Sequence, residues 1–152
     1  MTLRWFVSCA TLLAPLACRG AAPTQVVTPP TVAEVLAHRA IWAAHEPAAY
    51  SYVLTQSGGF NVFAGRPFEI AVLHDTVQSV RLFDTGDVVP GPYTFWPPTI
   101  NGLFGQALSA IEGQQLTTIA FDPLRGYPRQ MNFVPQPDRT TLVNASILEP
   151  SP

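Results

Sequence analysis

Apolar and polar positions along this chain follow two different periods. Ile100, Leu103, Phe104, Ala107, Leu108 and Ile111 recur at i, i+3, i+4, i+7, i+8 and i+11, which places them on one side of a helix. Thr99 can cap its start and Gly113 its end. Gly102 and Gly105 are poor helix formers, and their presence inside the stripe points to close approach to a sheet. An earlier helix is expected from Thr31, where Thr31-Val32-Ala33-Glu34 fits a capping box, to about His45, before Pro47. Val32, Val35, Leu36, Trp42 and Ala43 mark its expected buried face.

Elsewhere the period is two. Tyr50 to Thr55, Phe68 to Leu73 and Thr76 to Phe83 read as three strands, the first with both its aromatics on one face. Only His74-Asp75 separates the second from the third, which predicts a tight hairpin. Ser57 to Gly65, with Gly58, Gly59 and Gly65 around Phe60 and Phe63, reads as a longer loop whose rings fold back on the sheet. Leu116 to Phe121 lays Thr117, Ile119 and Phe121 on one face. Arg129 to Val134 sets Met131 and Phe133 against Gln130 and Asn132, and Thr140 to Leu148 alternates Val143, Ala145 and Ile147.

The segment between the fourth and fifth strands is a structural turn. Asp122 and Pro123 begin it, Gly126 supplies the positive φ of a tight reversal, and Tyr127-Pro128 leads into the return strand, where proline's missing N–H matters least. The elements therefore predict an α+β fold. An antiparallel sheet of about six strands carries an N-terminal helix and a second helix between strands three and four, in the order α-βββ-α-βββ.

Composition narrows the class. The 152 residues are 47% apolar and 12% charged, which suits one domain that buries roughly two-thirds of its unfolded surface. All eight basic residues are arginines. Between Thr31 and Pro150 six of them face ten acids, a net charge of −4, so a nucleic-acid partner is not expected.

The N-terminus reads as an address. Arg4 gives a positive start, and Trp5 to Ala17 is an apolar run of signal-peptide length, short for a membrane span. Residues 1–18 are thus assigned to a signal peptide. Both cysteines, Cys9 and Cys18, lie there, so the exported domain has no internal disulfide. Cys18 after Leu16-Ala17 resembles the lipobox of bacterial lipoproteins and is the expected lipidation site and membrane anchor, although Pro15 departs from that pattern. The alternative is cleavage near Ala22 and a periplasmic or extracellular protein. Residues 19–30 contain Pro23, Pro29 and Pro30 and form a tether able to reach roughly 40 Å. The domain itself spans 31–149.

Candidate chemistry changes this picture little. Asp84-Thr85-Gly86 matches the aspartic protease signature, but that chemistry needs a second such carboxylate, and Asp87 would add repulsion, so the motif reads as a turn. His38 and His45 lie on a roughly common side of the first helix without a third ligand nearby, so no metal is expected. Pro90 to Pro98 holds Tyr93, Phe95 and Trp96 among prolines that exclude a helix or a central strand. Those rings either form a contact loop or plug one end of the core, and plugging is the expected reading.

Several spaced motifs occur together in order: Arg39-x-x-Trp42, Tyr50-x-Tyr52, Thr99-Ile100-x-x-Leu103-Phe104, and Phe121-Asp122 with Gly126-Tyr127-Pro128. In this the chain resembles the DUF6174 family of exported bacterial proteins over about residues 31–148. The resemblance implies architecture and export and assigns no catalytic residue. Where the family pattern carries a close cysteine pair after the Tyr-x-Tyr strand, this chain has Phe60 and Phe63, so that loop lacks thiols for redox chemistry. Asn101 stands where an Asp is common.

Two function classes follow. The expected one is a non-catalytic envelope module, without a cofactor, that binds an envelope protein or small ligand on its sheet face or aromatic loop. The alternative is a hydrolytic enzyme using the turn carboxylates Asp84, Asp87 and Asp122. Convergence of these acids with a histidine in one cleft would favour the enzyme.

Overall fold

A computed structural model of the chain describes residues 29–58, 65–92, 97–136 and 139–148. Two helices and six strands follow one another as α1 (Val32–His45), β1 (Ala49–Ser57), β2 (Pro67–Leu73), β3 (Thr76–Leu82), α2 (Ile100–Glu112), β4 (Leu116–Phe121), β5 (Pro128–Gln136) and β6 (Arg139–Leu148). The strands form one antiparallel sheet in the order β3-β2-β1-β6-β5-β4, an α+β fold. The first and last strands pair at its centre. No described helix is long and apolar enough to cross a membrane.

Alternation along the strands sorts the sheet into two faces. Val80, Ile70, Tyr52 and Ile147 are successive cross-strand neighbours on one of them, as are Phe68, Leu54 and Ala145. These residues join Val35 and Trp42 of α1 and Ile100, Leu103, Phe104 and Ala107 of α2 in a single core. Both helices therefore cover the same face.

Helix α2 buries the stripe read from its sequence, with Leu108 and Ile111 half-buried and Ala110 added. Thr99 caps it by accepting from the Gly102 N–H at 3.1 Å. At the other end Gly113 stays right-handed and Gln114 takes the positive φ of 56°, a variation on the expected glycine stop. The glycines inside α2 do not approach the sheet as expected. A Cβ on Gly102 would meet Pro98 at 2.9 Å, and one on Gly105 would meet nothing within 4 Å.

Two other expectations need correction. In α1 only Val35 and Trp42 are buried, while Val32, Leu36 and Ala43 are exposed. The helix rests on the rest of the molecule along one narrow line, with half-buried His38 between the two. In β4 the register shifts between Leu116 and Thr118, so Thr117 is the extra residue of a bulge. Its side chain is exposed and its hydroxyl donates to the Asn132 carbonyl at 3.0 Å, leaving Leu116, Ile119 and Phe121 as the residues packed on the core.

The turns follow their sequences more closely. His74 and Asp75 both adopt positive φ, 47° and 54°, as a two-residue hairpin of matching twist requires. Gly126 has φ 77°, its N–H donates to the Asp122 carbonyl at 2.9 Å, and the Asp122 carboxylate accepts from the N–H groups of Leu124 and Arg125 at 3.0 and 2.7 Å. Phe60, Phe63, Tyr93, Phe95 and Trp96 lie outside the described residues, as does Cys18.

Candidate functional site

The motif residues of the sequence meet on the covered face, and they meet as packing. Trp42 stands edge-on to Tyr50 at 5.4 Å between centroids and to Tyr127 at 6.0 Å. Such edge-to-face pairs add about 0.5–1.5 kcal/mol each beyond the area they bury. Phe121 lies between His38, stacked at 3.9 Å, and Phe104 at 6.3 Å. Pro128 is fully buried beside this group.

Two phenols fix the start of α2. The Tyr50 hydroxyl accepts from the Ile100 N–H at 3.2 Å, one of the donors a helix start leaves unpaired, and the Tyr52 hydroxyl donates to the Pro98 carbonyl. Burial pushes both phenols up from their ordinary range, so both stay protonated at neutral pH. The Tyr127 hydroxyl accepts from the Ile147 N–H at 3.4 Å and so ties the central turn to β6. Asn101 donates its amide to the Glu46 carboxylate at 3.0 Å, a bond that an Asp at this position would replace with repulsion. Every named contact in this cluster serves to join helix, turn and sheet.

The turn carboxylates do not converge. Asp84 and Asp87 belong to the turn that follows β3, and Asp122 belongs to the turn that follows β4, so they hang from the two outer strands of the sheet. Asp84 is exposed and pairs with Arg66 at 3.3 Å, while Asp87 accepts from the Thr85 hydroxyl at 2.8 Å. Asp122 is occupied by its own turn. His38 is held against Phe121, and the exposed His45 ring contacts the Ile41 carbonyl at 2.8 Å. Among the described residues no group of three His, Cys, Asp or Glu is placed to hold a metal.

The opposite face of the sheet differs in kind. Here a groove of about 440 Å³ is lined by Val53, Thr55, Arg129, Gln130, Asn144 and Ser146, among others. Its axis is a cross-strand row. Thr55 pairs with Asn144, Asn144 with Gln130, and Gln130 with Ala120, so side chains from four neighbouring strands stand side by side. A second register shift, between Ala120 and Phe121, sets the extra residue Arg129 next to Gln130, and both line the groove. Bulges re-aim side chains in this way.

None of these lining residues stands out in the sequence as a site. Gln130 appears there only in the polar half of an alternation, Asn144 and Ser146 belong to a different strand, and Thr55 lies about half the chain away. Their common face is a product of the β1–β6 and β5–β6 pairings.

No curated protein matches the chain, and no solved structure does. A family model described as a family of unknown function, DUF6174, matches residues 34–140. That span carries Trp42, the two tyrosines of β1, the cap and stripe of α2 and the whole Asp122–Pro128 turn, the residues just seen to hold helices and sheet together. The chain belongs to the DUF6174 family.

Proposed function

We propose that this protein is an exported cell-envelope protein, anchored through a lipid on Cys18, whose open sheet face binds a partner or small ligand without catalysing a reaction. The observation that carries the binding part is the asymmetry of the sheet. One face is sealed by two helices, and the other holds a groove of about 440 Å³, within the volume range of small-molecule sites. The groove is lined by groups that donate and accept hydrogen bonds, and the acids suited to hydrolysis stand on opposite outer strands.

Export is supported by the order of charged, apolar and small residues from Arg4 to Cys18 and by the proline-containing stretch after it. The test is labelling of cells with a fatty-acid probe, followed by membrane fractionation, for the wild type and Cys18→Ser. The wild type is expected to carry label and sediment with membranes, and the variant to lose both. Label retained in the variant refutes the anchor.

A further inference from the structure

We infer that the groove on the open sheet face is a binding site for a sugar acid, a polyhydroxylated small molecule carrying one carboxylate, with Arg129 as the anchor for that group. This rests on the reading of the open face as a binding surface and gives it a ligand class.

The first argument is the hydrogen-bonding character of the lining. Thr55, Gln130, Asn144 and Ser146 each both donate and accept, and a sugar hydroxyl does the same. Three of them stand in one cross-strand row, so the groups repeat at the strand spacing of about 4.8 Å, a ladder that successive hydroxyls can follow. Val53 adds an apolar patch for the C–H face of a ring.

The second argument is charge. Arg129 is the one charged residue lining the groove, it is exposed, and among the described residues no carboxylate pairs with it. A bulge, and not the regular pleat, sets it beside Gln130 on the groove. Glu69 stands beside Val53 at the far end of the groove and across from Arg81, on a strand three places away from that of Arg129. A guanidinium matches a carboxylate in a two-bond fork, and a single such cation among neutral groups suits a monoanion.

The test is calorimetric titration of the full-length protein with glucuronate, glucose and glucose 6-phosphate, repeated with Arg129→Gln and Asn144→Ala. Far-UV circular dichroism and thermal melts establish that each variant is folded. The wild type is expected to bind glucuronate about tenfold or more tighter than glucose, the range of a charge-assisted contact. Arg129→Gln should bring glucuronate down to the level of glucose, and Asn144→Ala should weaken both. Equal binding of glucuronate and glucose overturns the inference, as does tighter binding of the phosphate or no binding of any of the three. Failure here is distinct from failure of the broader reading. A protein that ignores all three sugars while the wild type, but not Arg129→Gln, still captures an envelope partner keeps the open face as a binding surface and removes the sugar.

Discussion

Two turns of this molecule share their local chemistry and differ in everything around it. Asp84-Thr85-Gly86 and Asp122-Pro123-Leu124-Arg125-Gly126 each begin with an aspartate and end on a glycine of positive φ, 74° at Gly86 and 77° at Gly126. At Gly86 an added Cβ would meet nothing within 4 Å. At Gly126 it would lie 2.6 Å from the His38 carbonyl oxygen and 2.9 Å from the Ile41 Cβ, because helix α1 packs directly on the turn. The same backbone device closes a loop in one place and seats a helix in the other. Local sequence therefore establishes that a turn forms, and surroundings decide how much of the fold depends on it.

The largest expected effect comes from Gly126→Ala. The substitution combines backbone strain of about 1–3 kcal/mol with displacement of α1 from a contact against backbone that cannot swing aside, for a total of about 3–5 kcal/mol. A thermal melt should show a fall of roughly 10 °C or more. Gly86→Ala carries the left-handed strain alone and should cost about 1–2 kcal/mol. If the two variants melt together, the docking of α1 on the turn contributes nothing and the contrast collapses.

The smallest effect is expected from Asp84→Asn. It removes an ion pair to Arg66 at 3.3 Å whose side chains are 43% and 51% exposed, and exposed pairs are worth about 0–1 kcal/mol. The melt should stay close to that of the wild type, and salt should narrow the difference further. A loss comparable to that of Gly126→Ala would mean that the outer turn is as deeply built into the fold as the central one.

Helix α2 was legible because its stripe is wide, and a wide stripe has one side on which it can be buried. Helix α1 was not. Val32, Leu36 and Ala43 look equally suited to a core face, yet the helix packs on the molecule through Val35, His38, Ile41 and Trp42, and that narrow line depends on where the Gly126 turn and Phe121 are placed. Thr117 was misplaced for a related reason. Simple alternation counts every residue of a strand, and a bulge removes one from the count when the partner strand demands it. The turn carboxylates were visible as residues and silent about distance, since nothing in their spacing says that β3 and β4 end up as the two outer strands.

By itself the sequence determined the inventory: two helices and six strands, their order, the caps at Thr31 and Thr99, and the positive-φ glycine of the central turn. Each of these depends on residues within a few positions of one another, where hydrogen bonds, sterics and periodicity act directly. Only the tertiary structure decided that β1 pairs with β6, that both helices cover one face, and that Thr55, Arg129, Gln130 and Asn144 share a groove on the other. Those outcomes arise because the sheet must bury one face as a whole. That requirement selects pairings between segments far apart in the chain, and no local pattern records it.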